Sequence, residues 1–118
     1  MTRAATVKEA DVLASCLSWL EANGYEHWRV NTGPVVRGGG FKSKRFMTPS
    51  PTKGFPDIAG ILKKRSGIFW ACEVKTDVGK LRPEQEQWIK RLKDAGAVAF
   101  VARSAEQLAA LLAVAEEG

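Results

Sequence analysis

Asp57, Glu73 and Lys75 sit in a stretch, residues 54–75, whose other positions are mostly apolar or turn-forming, and their types and spacing are those of a chemical site. The runs 57–62 and 68–74 flank the polar connector Lys63-Lys64-Arg65-Ser66-Gly67, which is the pattern of a β-hairpin with a glycine-containing loop. Centred on Arg65, the hairpin sets Asp57 opposite Glu73. Alternation then gathers Asp57, Ala59 and Ile61 on one face with Phe69, Ala71, Glu73 and Lys75, and sends Ile68, Trp70, Cys72 and Val74 to the other. The arrangement is conditional on register, since a slip of one residue moves Asp57 to the opposite face.

Two carboxylates about 5 Å apart repel by roughly 3 kcal/mol at an effective dielectric of about 20. A purely structural hairpin has no reason to keep that conflict, and a hard divalent cation between the two groups removes it. Oxygen ligands from a few carboxylates plus water suit Mg²⁺, and a lysine beside them can hold an attacking water or offset phosphate charge. The plainer alternative pairs Glu73 with Lys75 at the frayed end of an exposed strand. The near-continuous apolar run before Glu73, with Asp57 in register, argues against it.

Composition narrows the classes. A chain of 118 residues with 45% hydrophobic and 26% charged residues is expected to be one soluble globular domain, 1–118, that folds without disulfides. No run approaches the eighteen or so apolar residues of a membrane span and the N-terminus lacks a signal-peptide core, so the expected location is cytoplasmic, away from membranes. Cys16 and Cys72 fall on apolar faces and read as packed thiols. The one histidine, His27, reads as a strand-edge side chain, which argues against a Ser-His-Asp hydrolase and against histidine-based nucleases. The net charge is +5, and no acidic residue lies between Glu26 and Asp57, while Arg29, Arg37, Lys42, Lys44, Arg45 and Lys53 accumulate there. That half of the chain is expected to face an anion.

The elements that must position these groups follow from periodicity. Residues 7–23 read as an amphipathic helix through Val12, Leu13, Cys16, Leu17 and Leu20, stopped at Gly24. Glu9 lies on the same stripe in the first turn, where a carboxylate either meets the N-terminal amides or reaches into a site; Glu21, at the far end, is the competing candidate. A strand over 25–31 follows. Residues 35–55 read as a long connection without periodicity, in which Gly38-Gly39-Gly40, the basic residues, Phe41 and Phe46 suit either phosphate and base contacts or a solvated linker. The loop 76–80 brings Lys80 and Arg82 towards the functional end of the hairpin. Pro83 opens a helix that runs to Ala95 and ends at Gly96, with Trp88, Ile89, Leu92 and Ala95 packed. Gln85, one turn earlier, either turns inward, where its amide can bond an attacking water or a phosphate oxygen, or faces solvent. A buried strand over 97–102 and a Ser104/Gln107 capping box lead to a last helix through Leu108, Leu111, Leu112 and Ala115. Helix, strand, hairpin, helix, strand, helix is the order of an α/β domain with three layers around a mixed central sheet.

Phe55-Pro56-Asp57 followed by Glu73-Val74-Lys75 resembles the PD-(D/E)xK nuclease superfamily. Leu81-Arg82-Pro83-Glu84-Gln85-Glu86-Gln87-Trp88-Ile89, then Leu92 and Ala95-Gly96, with Arg29-Val30-Asn31-Thr32-Gly33 before the basic loop, resembles more narrowly its VRR-NUC family, over nearly the whole chain. The resemblance implies a restriction-endonuclease-like core and a Mg²⁺- or Mn²⁺-dependent endonuclease that hydrolyses phosphodiester bonds of DNA. It implies Asp57, Glu73, the backbone carbonyl of Val74 and a first-helix glutamate, here Glu9, at the metal, with Lys75 and Gln85 as catalytic groups. Arg29, Asn31, Arg37, Lys42, Lys44, Arg45, Lys53, Lys80 and Arg82 are the expected DNA contacts. Stand-alone members resemble dimeric resolvases of branched DNA such as the four-way Holliday junction, so a homodimer is expected, with Trp19 or Leu108 as candidate contact residues. A non-catalytic nucleic-acid-binding module of the same fold, and a nuclease for RNA or single strands, are the competing readings.

Overall fold

The structure, a computed structural model, describes residues 7–30, 35–37, 46–48 and 52–118, with only the backbone described for 35–37 and 46–48. Val12, Cys16 and Leu20 recur at helical spacing and are buried along one side of α1 (Glu9–Ala22). Gly24, at φ 70°, reverses the chain into β1 (Glu26–Arg29). Two short strands, β2 (Val35–Arg37) and β3 (Phe46–Thr48), pair antiparallel with Val36 opposite Met47. They correct the expectation of an aperiodic connection: three-residue strands are too short to declare an alternation, although Val35, Val36, Phe46 and Met47 are all strand-forming types.

The hairpin follows as β4 (Ile58–Leu62) and β5 (Ile68–Val74), joined by a 3₁₀ turn at Lys63–Arg65 and by Ser66 and Gly67 at φ 56° and 79°. Its register is Ile58 opposite Cys72, Ala59 opposite Ala71 and Leu62 opposite Ile68, which is the pairing centred on Arg65. Pro83 opens α2 (Pro83–Asp94), Gly96 closes it at φ 94°, and β6 (Val98–Ala102) returns parallel to β5. The last helix is α3 (Ala105–Glu117). The four-stranded mixed sheet has the order β1-β4-β5-β6, with β1 antiparallel to β4.

One face of the sheet carries Ile58, Leu62, Trp70, Cys72 and Val74, which join Val12, Cys16 and Leu20 of α1 and Leu108 and Leu112 of α3 in the main core. The opposite face carries Ala59, Ala71 and Glu73 and is partly covered by α2, whose Ile89 is buried. The result is the expected three-layer α/β fold. Burial on α2 falls on Ile89, while Ala95 is exposed. Cys16 and Cys72 are free, buried thiols, and burial raises both pKa values, that of Cys16 to about 11. Ser104 Oγ accepts from the Gln107 N–H at 3.0 Å, but the Gln107 side chain accepts from the Arg103 N–H, not from that of Ser104. Leu108 is 0% exposed and Trp19 is half-buried against Tyr25, ring centroids 5.4 Å apart, so neither is a free outer-face contact. The face of a helix that is covered depends on its neighbours, which periodicity alone does not identify. No helix among the described residues is long and apolar enough to cross a membrane.

The most crowded of the described glycines is Gly60, opposite Trp70. A Cβ there would lie 2.2 Å from the Glu26 carbonyl oxygen and 2.6 Å from the Trp70 ring. Gly60→Ala is therefore expected to destabilise the protein by about 1–3 kcal/mol or more. Urea unfolding should show a lower midpoint at unchanged slope; an unchanged midpoint would mean that the β1–β4–β5 packing is looser than this.

Candidate active site

Register brings the carboxylates together, and backbone hydrogen bonds fix them there. Asp57 immediately precedes β4 and continues its pairing with β1, accepting at its carbonyl from the Val30 N–H at 2.8 Å. Its side chain crosses to β5, where Oδ2 accepts from the Val74 N–H at 2.8 Å. Val74 lies beyond Cys72, the residue opposite Ile58, so this bond extends the hairpin ladder through a side chain. Oδ1 takes no part in that bond. Gly54 sets the approach: its φ is 88°, and a Cβ there would meet backbone atoms of Glu84 at 2.7 and 2.8 Å, so the segment into Asp57 lies against the start of α2. The Trp88 indole N–H, donating to the Lys53 carbonyl at 3.1 Å, holds the same segment one turn further along.

Glu73 is 2% exposed. Burial, then the charge of Asp57 and a hydrogen bond with it, push its carboxyl up to about 9; Lys75 opposes the shift, and Glu9 adds to it. At neutral pH this glutamate therefore carries a proton unless a cation replaces it. Gln85 orients it, donating from Nε2 to Glu73 Oε1 at 3.1 Å while its own Oε1 accepts from the Arg82 N–H at 2.9 Å. Gln85 turns inward, and its amide is engaged at both ends, by Glu73 and by the Arg82 N–H. With its oxygen committed to Arg82, only the –NH₂ end can face Glu73.

Glu9 lies in the first turn of α1, and the capping role that competed for it belongs to Asp11, whose Oδ2 accepts from the Lys8 N–H at 3.3 Å. A carboxylate oxygen of Glu9 and those of Asp57 and Glu73 all lie within 4.8 Å of one another. Glu9 is exposed, not on the buried stripe, so it approaches from the solvent side. Glu21 is at the other end of α1, beside a shallow groove with His27 and Arg29, apart from this group. Three carboxylates, one of them buried with its pKa raised by that burial and by Asp57, fit a hard divalent cation with oxygen ligands.

Lys75 follows β5, is 6% exposed, and donates its N–H to the Ala102 carbonyl at 3.1 Å. The loop after it folds over its stem: a Cβ on Gly79 would meet Lys75 Cδ at 3.4 Å and Thr76 Oγ1 at 3.3 Å. Arg103 fixes that loop, with Nη1 donating to the Thr76 carbonyl at 2.5 Å and the Gly79 carbonyl at 2.7 Å. Sequence reasoning missed Arg103. An arginine just after a strand carries no local signal, since its partners are more than twenty positions away.

Among the expected anion contacts, Lys53, Lys80 and Arg82 are exposed, and Lys80 and Arg82 flank the loop beyond Lys75. Arg29 is exposed on β1 opposite Ile58, so alternation roots it on the α1 side of the sheet, away from the carboxylates' face. Asn31, Lys42, Lys44 and Arg45 lie outside the described residues, as does the side chain of Arg37. The VRR-NUC domain model matches residues 7–106, a span that holds every member of the carboxylate group, Lys75, Gln85 and Arg103. A search of curated proteins finds no match to the chain.

The raised Glu73 pKa makes a pH prediction. The folded protein without a divalent cation binds a proton there that the unfolded chain releases above about 4.5, so this group's stabilisation is full below that pH and is lost as pH rises towards 9. In EDTA, stability should fall with pH across that window by about 1 kcal/mol per unit. Glu73→Gln should flatten the slope and be the more stable form at pH 8. Equal slopes in the two proteins by urea unfolding would show that Glu73 does not hold the proton.

Proposed function

The chain belongs to the VRR-NUC family and carries a nuclease domain, and from that premise we propose that it is a divalent-metal-dependent endonuclease that hydrolyses DNA phosphodiester bonds. The observation that carries the reading is the convergence of Glu9, Asp57 and Glu73 within 4.8 Å beside the buried Lys75.

Asp57, through the oxygen not held by Val74, and Glu73 would hold Mg²⁺ or Mn²⁺, with the Val74 carbonyl and Glu9, directly or through water, completing the set. Such an ion supplies Lewis-acid stabilisation of the phosphoryl oxygen and lowers the pKa of water. Lys75 directs the attacking water and offsets the negative charge that develops on phosphorus. Water adds to phosphorus as the bond to the leaving oxygen breaks, and the products are a phosphomonoester and an alcohol. Gln85 acts through Glu73 as a positioning residue, keeping the carboxylate aimed at the site. Arg103 acts one step further out, on the loop that shields Lys75. The exposed Lys53, Lys80 and Arg82, together with the basic residues of 35–55, neutralise the DNA backbone.

Branched DNA is the proposed preferred substrate and a homodimer the proposed working form, because one small domain presents one active site, and paired cuts on a junction require a second copy on a two-fold axis. The site is intact in its catalytic residue types, which favours an enzyme over a binding module of the same fold.

Asp57→Ala or Glu73→Ala should abolish cleavage and leave DNA binding within a few-fold, since removing a carboxylate relieves repulsion of phosphate. Lys75→Ala should match their loss of rate while keeping metal binding. Full activity of the Asp57 or Glu73 variant, or of the wild type in EDTA, would overturn the site.

Labelled linear, flapped and four-way-junction DNAs, with an RNA control, should be cut in that protein's Mg²⁺ or Mn²⁺ form with the junction preferred and cut symmetrically on opposing strands. Sedimentation should report about twice the 12.9 kDa chain mass. A monomer that nicks every duplex alike would keep the nuclease and remove the resolvase.

A further inference from the structure

Trp28 is 47% exposed, on the edge strand β1. Its cross-strand partner is Ala59, and the pairing continues to Val30 opposite Asp57, so Trp28 and Asp57 are diagonal neighbours on one face of the sheet. Diagonal neighbours of an antiparallel pair lie roughly 7–8 Å apart, within reach of an aromatic side chain. The indole is therefore an exposed flat surface on the face that carries Asp57 and Glu73, rooted one cross-strand diagonal from Asp57.

The ring is also braced from below. Phe69 packs against it with centroids 6.3 Å apart, Phe55 against Phe69 at 6.5 Å, and Trp88 against Phe55 at 5.0 Å, where the Arg91 guanidinium lies 4.0 Å from the Trp88 ring. The row runs from the segment that enters the site to the helix that orients Glu73, so Trp28 rests on a fixed base. The acid nearest along its strand, Glu26, is paired with Lys63 at 3.2 Å, and the chain has no acidic residue from 27 to 56. An exposed aromatic surface on the same sheet face as a site for phosphate chemistry fits a nucleobase.

We propose that Trp28 is a substrate-specificity residue: the nucleotide next to the scissile phosphate leaves its own stack and lays its base on the Trp28 indole. This rests on the nuclease reading and deepens it, because only DNA with an unstacked or easily unstacked nucleotide at the cut, as at a flap or a junction, meets the requirement cheaply. It attributes the preference for branched DNA to a side chain within one protomer, independently of dimer geometry.

The test is a cleavage cycle with the full chain in Mg²⁺ or Mn²⁺, on flapped DNA whose cut position has been mapped. Removal of the base at either nucleotide flanking the cut should raise the wild-type KM at one of them by between about 5-fold and about 150-fold, the range of one base–aromatic stack, with kcat changed less. Trp28→Ala should raise KM on intact DNA by a similar factor and show no further rise on the abasic strand. Trp28→Phe should stay within a few-fold of wild type. A wild type that tolerates both abasic positions overturns the proposal whatever the folding of the variants, as does a Trp28→Ala protein whose abasic rise equals that of wild type. A wild type that cuts no DNA overturns the nuclease reading and this inference together.

Discussion

The structure turns on an electrostatic conflict that the hairpin register enforces. Asp57 and Glu73 meet because β4 and β5 pair about Arg65, and the Asp57 side chain takes the Val74 N–H as though it were one more step of the ladder. The same bond that places the carboxylate also determines which of its oxygens stays available. A slip of one residue would relieve the repulsion but would turn one strand over, taking either Ile58 and Leu62 or Trp70, Cys72 and Val74 out of the core against α1 and α3. The hydrophobic face thus holds the charged face in place.

The other layers convert that forced proximity into a defined geometry. On the carboxylates' side, α2 contacts the site at two levels: Gln85 holds Glu73, and Trp88 and Glu84 hold the segment leading into Asp57. On the other side, α1 delivers Glu9 from its first turn. The crossover to β6 brings Ala102 against Lys75 and Arg103 against the loop that covers it. Asp57, Glu73 and Lys75 are therefore each held by an element other than their own, which is why the site needs the whole three-layer fold.

The hairpin and its register were legible because the polar connector is short and alternation on both sides of it agrees. The ends of α2 were legible because Pro83 and Gly96 mark them by backbone chemistry alone. Glu9 was legible only as one of two options; the deciding fact, that Asp11 caps α1, was muted by a lysine at the N-cap where a serine or threonine normally announces a capping box. Trp19 and Leu108 were misread as free because a helix face declares its polarity but not its neighbour. The bonds of Arg103 and the Gln85 bond to Glu73 were not legible, since they join groups whose proximity exists only after the sheet has formed.

Gln85 shows why an uncharged residue belongs beside this site. Its partner, Glu73, changes charge: a carboxyl raised to about 9 holds a proton at neutral pH, and a cation arriving between the acids must displace it. A lysine in place of Gln85 would favour the ionised carboxylate before any cation came and would then repel the cation. A glutamate would add a fourth negative group to an already crowded pocket. An amide N–H can donate to a carboxyl oxygen in either charge state, and the Arg82 N–H, bonded to the other end of the amide, keeps it from turning over. Orientation of the ligand is thereby separated from its ionisation, so Glu73 can exchange a proton for a cation without losing its aim.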